Sequence, residues 1–173
     1  MHRTRLIPWV MVALALMVPA WADAQVHIAR NAMYVELGGN GLWYSLNYER
    51  LASPNVALRA GVSYMSVSAA SGTASANVSS MGFPLTAAYL VGKGSSKLEI
   101  GGGLLAEKFS GAASSGFGQK ATGGGFYPMG TAVFGYRYAP VGGGFNFKLA
   151  FTPVYHPDLG FFPWGGLSFG FGF

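Results

Sequence analysis

The stretch Phe145-Asn146-Phe147-Lys148-Leu149-Ala150-Phe151-Thr152 alternates strictly between large apolar side chains and small or polar ones. A period of two is the spacing of a β-strand whose two faces meet different surroundings. The last eight residues repeat it, with Leu167, Phe169, Phe171 and Phe173 opposing Gly166, Ser168, Gly170 and Gly172. So does the stretch 42–49, where Leu42, Tyr44, Leu46 and Tyr48 share one face and Trp43, Ser45, Asn47 and Glu49 the other. Helical spacing fits none of the three.

Outward from these stretches, the same alternation predicts eight strands, at 32–38, 42–51, 56–66, 80–91, 97–108, 126–138, 144–153 and 163–173. The connections alternate in length. Short Pro- or Gly-bearing turns fall at 52–55, 92–96 and 139–143, and beyond a tight 39–41 the other set is long, at 67–79, 109–125 and 154–162. The two longest, rich in Ser, Ala and Gly, read as flexible loops without a built site. Eight antiparallel strands with both chain ends on the short-turn side make a closed up-and-down barrel.

The side-chain sizes decide which face points inward. The apolar faces carry aromatic after aromatic, too bulky for the interior of a small barrel, and the opposite faces are mostly Gly, Ala, Ser, Thr and Asn. Turned outward, the rings meet lipid and the small residues fill a narrow lumen. Leu46, Phe145, Phe147, Leu149, Phe151, Leu167, Phe169 and Phe171 are therefore expected to face lipid. The charges make an independent check, because an Arg or Lys facing lipid at the midplane costs about 2–4 kcal/mol. Glu36, Glu49, Arg59, Glu99, Glu107, Arg137 and Lys148 all lie on the less apolar faces, where four acids and three bases are expected to pair in a buried network.

Residues 1–24 read as a separate object. Arg3 and Arg5 precede an apolar run, and Ala22-Asp23-Ala24 supplies a small-x-small cleavage pattern, so a removed signal peptide is expected with residues 25–173 forming the barrel domain. The apolar run is interrupted by Pro8 and Pro19 and is too short for a spanning helix. Without Arg3, Arg5 and Asp23 the formal charge of +5 becomes +4. The Lys and Arg residues form no run, which argues against a nucleic-acid partner. Charged residues make up only 10% of the chain and hydrophobic ones 51%, which excludes the composition of a disordered protein. Glycine, at 27 of 173 residues, weighs against a helical bundle. The absence of Cys excludes thiolate metal sites, disulfides and a cysteine nucleophile.

The ending Gly166-Leu167-Ser168-Phe169-Gly170-Phe171-Gly172-Phe173, together with the opening from Met33 to Arg50, resembles small eight-stranded bacterial outer-membrane β-barrel proteins, a group that includes OmpA- and OmpX-like barrels. The resemblance implies residence in the outer membrane of a Gram-negative-type bacterium. It also implies recognition of Phe169, Phe171 and Phe173 by the barrel-assembly machinery. No peptidoglycan-binding sequence follows the barrel, so an OmpA-like anchoring role is not expected.

Function is carried less plainly. A structural or surface-interaction role, with a monomeric barrel whose lumen the Glu/Arg/Lys set plugs, is the leading expectation, and a narrow ion or small-solute channel is the alternative. A lipid A-modifying enzyme would need a His beside a Ser and an acid. His156-Pro157-Asp158 supplies one pair, and Ser114, Ser115 or Ser168 would have to be the nucleophile, but no spacing motif joins them. His27 and His156 are too far apart in sequence for a metal site. Gly116-Phe117-Gly118-Gln119-Lys120-Ala121 lacks the strand-to-helix setting of a dinucleotide loop. No catalytic residue, metal or cofactor is expected. Tyr44, Tyr48, Tyr64, Tyr89, Tyr136 and Tyr138 suit interfacial girdles, and Trp43 and Trp164, of opposite parity, are expected to cap the lumen.

Overall fold

A computed structural model describes residues 28–72, 74–114 and 120–173. The expected signal peptide, His27, Ser115 and the stretch 116–119 lie outside the described residues. The strands, in chain order, are β1 (Asn31–Gly38), β2 (Tyr44–Ser53), β3 (Val56–Ser71), β4 (Ala74–Val91), β5 (Ser96–Ser114), β6 (Lys120–Tyr138), β7 (Gly144–Phe151), β8 (Val154–His156), β9 (Gly160–Phe162) and β10 (Gly165–Gly172). All pairings are antiparallel. The ring runs β1-β2-β3-β4-β5-β6-β7-β10 and closes where Ala32–Gly38 pairs with Gly166–Gly172. β8 and β9 form a small hairpin that carries the walls of β7 and β10 onward past Pro153 and Pro163, with β8 still paired to β6 at Gly130 and Thr131. The barrel therefore has eight walls, and closure leaves no strand edge unpaired around the ring.

Alternation produces this architecture directly. Along β4, Met81, Phe83, Leu85, Ala87, Tyr89 and Val91 are exposed, whereas Ser80, Gly82, Pro84, Thr86, Ala88 and Leu90 are buried. The ten-residue climb from Val91 to Met81, at about 3.3 Å per residue and a tilt near 40°, gives an apolar band about 25 Å tall, the height of an outer-membrane barrel's lipid-facing belt. Its loop-side limit is a row across four strands, Tyr64↔Met81↔Lys108↔Phe126. Two residues further on, the row is Ser66↔Ser79↔Ser110↔Gly124, and the apolar surface has stopped. Pro84 sits in mid-strand because the β3–β4 ladder lapses opposite it, at Gly61 and Val62, where its missing N–H would have faced.

Three expectations need correction. Within the segments 67–79 and 109–125, the described residues are paired strands and not flexible loops. β3 and β4 continue as a paired hairpin to Ser71 and Ala74, and the β5–β6 ladder runs unbroken from Ser96↔Tyr138 to Ser114↔Lys120. Both faces of these extensions are largely exposed, so no burial difference imposes a pattern on their sequence. The segment 154–162 likewise holds β8 and β9. Finally, Leu42 does not share the outer face of Tyr44. Gly38 and Gly39 lead with positive φ into a short 3-10 turn, and Leu42 follows at φ 66°, which turns its side chain onto the interior cluster of Leu105, Met129 and Val154. Trp43 is thereby left exposed, packed edge-on against Trp164 at 6.0 Å between ring centroids, while Trp164 Nε1 donates to the Leu42 carbonyl at 2.8 Å. Leu42, not Trp43, caps the lumen.

Candidate functional site

The barrel interior collects all four glutamates of the strands and three of their basic side chains, while Arg50 and Lys108 are exposed. Glu36, Glu49, Arg59, Glu99, Glu107, Arg137 and Lys148 are all buried there. On the outside, Leu46, Phe145, Leu149, Phe151, Phe169 and Phe171 are exposed, with Phe147 and Leu167 half-buried beside them. Phe169 packs against Phe145 and Phe147 on this outer face, so the aromatics of β7 and β10 form one continuous surface. Phe173, the terminal residue, is also exposed.

Six of the seven interior charges cancel in two groups. Arg59 Nη1 lies 3.1 Å from Glu36 Oε1, and the same carboxylate accepts from Ser45 Oγ at 3.4 Å and Ser168 Oγ at 3.3 Å. Glu49 accepts from both Arg137 Nη2 and Lys148 Nζ, and Glu99 stands 3.9 Å from Arg137 and 3.7 Å from Lys148. Three acids thus meet three bases. Pairing of this kind is what makes buried charge tolerable, since an isolated one in a low-dielectric interior is prohibitively costly.

Tyr34 joins the two groups. Its ring receives Lys148 Nζ at 4.2 Å and the Arg59 guanidinium at 5.8 Å from the centroid, and its hydroxyl accepts from Arg59 Nη1 at 3.2 Å while facing Glu49 at 3.5 Å. Sequence reasoning missed it. The signal was available in its parity, since Tyr34 shares the face of Glu36 on β1. Asn40, Ser45 and Asn47 were missed as well. Asn40 Nδ2 donates to Thr131 Oγ1 at 2.6 Å and its Oδ1 accepts from Arg59, so the tight turn is tied to the far wall.

Glu107 is interior but stands outside the network. Its neighbours in register are Gly82 and Tyr127, eight residues up β5 from Glu99, about 26 Å along the strand. It is 0% exposed, and neither carboxylate oxygen has a hydrogen-bond partner among the described residues. Only a glycine at position 82 leaves room for its carboxylate, which occupies the space a Cβ there would take. The expectation of four acids sharing three bases is corrected to three, because parity fixes the face of a residue and not its height.

His156 is buried against Tyr127, with ring centroids 5.7 Å apart. The Asp158 backbone N–H donates to His156 Nδ1 at 3.1 Å, and the Asp158 side chain is 91% exposed. In a catalytic triad Nδ1 would instead donate to the carboxylate. Ser114 Oγ is engaged with Ser75 Oγ at 2.8 Å and Ser168 with Glu36, so neither candidate nucleophile is turned toward His156 by a hydrogen bond.

At the short-turn end the lumen opens as a vestibule of about 280 Å³, with Glu49 and Arg137 on its inner wall and Arg30 and Lys97 among the residues nearer its mouth.

No protein-family model and no curated protein matches this sequence. Solved structures do match the fold. The N-terminal β-barrel domain of Pseudomonas aeruginosa OprF superposes with a TM-score of 0.55 at 16% identity, covering 83% of this chain and 96% of that one. Ail, the attachment invasion locus protein of Yersinia pestis, solved in complex with the heparin analogue sucrose octasulfate, superposes with a TM-score of 0.53 at 13% identity, covering 83% and 92% respectively. Both are eight-stranded outer-membrane barrels, and this chain has their fold.

Proposed function

We propose that the protein is an integral outer-membrane β-barrel with a structural or surface-interaction role, its lumen plugged and its contacts made by the extended hairpins. The observation that carries this reading is the inversion of the two faces. An apolar belt faces outward, and two acid–base groups with their hydrogen-bonding partners sit along the axis. A soluble barrel would have the opposite arrangement, whereas lipid on the outside makes both halves favourable. Export through residues 1–24, insertion by the barrel-assembly machinery through Phe169, Phe171 and Phe173, and a monomeric state belong to the same reading.

The hairpins β3–β4 and β5–β6 project seven and six paired residues per strand beyond the belt and are the natural contact elements. Their sequence is almost uncharged, with no ionisable residue from Met65 to Ser80 and only Lys120 between Phe109 and Gly125. Contacts through hydroxyls and backbone suit them better than the capture of a polyanion such as the heparin analogue bound by Ail.

The absence of Cys makes the test simple. A Ser71→Cys variant at a hairpin end should react with a membrane-impermeant maleimide on intact cells, and Ser53→Cys at a short turn should react only after lysis. Equal labelling of both sites on intact cells would overturn the orientation. Planar-bilayer recording of the purified barrel should show no sustained conductance, and stable single-channel currents would replace the plug with the channel alternative.

A further inference from the structure

The basic side chains that the lumen does not take up are unevenly spread. Arg30 before β1, Arg50 on β2, Lys93 in the β4–β5 turn and Lys97 at the start of β5 all stand at the short-turn end. The first three are exposed and Lys97 is half-buried. They share one arc of the rim, because β1 to β5 are consecutive neighbours in the ring. Lys97 Nζ spans its middle by donating to the Pro54 carbonyl of the β2–β3 turn at 3.3 Å. Among the described residues no acidic side chain stands on this arc. Glu49 and Glu99, close to Arg50 and Lys97 in sequence, are turned into the lumen and paired there with Arg137 and Lys148. The rest of the rim, residues 139–145 and 171–173, has no charged side chain.

Arg50 decides what the arc meets. It lies on the outward face of β2 with Leu46 and Tyr48, three residues before the strand ends at Ser53. Asn31 Oδ1 accepts from Arg50 Nη1 at 3.3 Å and from the Tyr48 hydroxyl at 2.8 Å, which holds the guanidinium beside an outward tyrosine at the margin of the belt. Tyr136, its hydroxyl 2.9 Å from Ser96 Oγ, marks the same margin on β6. Tyrosines favour the level of the headgroups, so a guanidinium fixed beside one has headgroups for neighbours. We propose that this arc binds anionic phospholipid headgroups in the leaflet on the short-turn side, and that the uncharged arc opposite does not. Each Lys or Arg beside an anionic membrane surface contributes about a factor of five. The inference rests on the reading of the chain as a membrane barrel.

The full chain has no Cys, so a bimane reporter can be placed by Ser53→Cys on the basic arc, by Val141→Cys on the uncharged arc or by Leu104→Cys in the belt. Each labelled barrel is reconstituted in phosphatidylcholine bilayers holding a small fraction of nitroxide-labelled phosphatidylglycerol or nitroxide-labelled phosphatidylcholine. At low ionic strength, quenching at Ser53→Cys should report about fivefold enrichment of phosphatidylglycerol over phosphatidylcholine, and quenching at Val141→Cys none. Adding Arg50→Gln and Lys93→Gln should abolish the enrichment. Lys108→Gln, an exposed cation at the opposite end of the belt, should leave it unchanged. Equal quenching by the two lipids at Ser53→Cys, or the same enrichment at Val141→Cys, would overturn the arc and leave the membrane barrel standing. Leu104→Cys should be quenched by both lipids, and no quenching there would overturn the membrane reading itself.

Discussion

β5 passes through two environments within one unbroken hydrogen-bonded ladder. From Leu98 to Lys108 it forms the barrel wall, where its outer face is apolar and its inner face carries Glu99, Leu105 and Glu107. From Phe109 to Ser114 it forms a projecting hairpin with β6, paired in the same register but enclosing no core. Backbone pairing is identical in the two stretches, so it cannot account for their difference in sequence. What differs is whether the two faces meet different media. Where they do, residues are sorted by size and charge; where both meet water, Ser, Ala and Gly suffice.

The comparison can be broken first in the interior of the wall. Glu49→Gln removes the carboxylate that holds both Arg137 and Lys148 and leaves two buried cations with only Glu99 nearby. A cost of about 3–5 kcal/mol is expected from breaking such a set. The midpoint of urea unfolding, followed by the loss of heat-resistant mobility on a gel, measures it. In the hairpin the corresponding deletion is Ser75→Ala, which removes the hydroxyl pair with Ser114, and it should change the midpoint by no more than about 0.5 kcal/mol.

The outer face provides the next contrast. Leu104 is 65% exposed in the middle of the belt, where an arginine would face acyl chains at a cost of about 2–4 kcal/mol. Leu104→Arg should therefore lower the yield of folded barrel sharply in bilayers. Ala113→Arg, nine residues along the same strand, should fold as the parent does. Similar yields for the two variants would mean that the belt does not meet lipid.

The same contrast explains how far the sequence could be read. The wall strands were legible because parity sorts them, and all seven interior charges follow from parity alone. The hairpin extensions were not legible, since a stretch such as Ser66-Val67-Ser68-Ala69-Ala70-Ser71 with both faces wet has no pattern to detect. Two features inside the wall also escaped. Height along the axis is not encoded in parity, which is why Glu107 was grouped with charges about 26 Å away along the strand. Leu42 escaped because positive φ at Gly38, Gly39 and Leu42 itself breaks the side-chain alternation, and nothing in the residue type of Leu42 announces that conformation. The vestibule depends on which turns meet at one rim, a property of closure that no local stretch contains.

The smallest expected effect tests whether the two regions are energetically separate. Gly72 sits at φ 59° in the turn at the end of the β3–β4 hairpin, and a Cβ there would meet nothing within 4 Å. The only penalty of Gly72→Ala is therefore the left-handed backbone, about 1–2 kcal/mol for a residue with a side chain. That strain can be relieved locally by fraying the outermost pairs, Ser71↔Ala74 and Ala70↔Ser75, without disturbing a ladder that is anchored in the wall from Val56↔Tyr89 upward. Hydrogen exchange should accelerate at Ala70–Ala76 while the unfolding midpoint of the barrel stays within error of the parent. A lowered midpoint would show that the projecting hairpins and the belt unfold as one unit, and that the extensions stabilise the barrel as well as reaching beyond it.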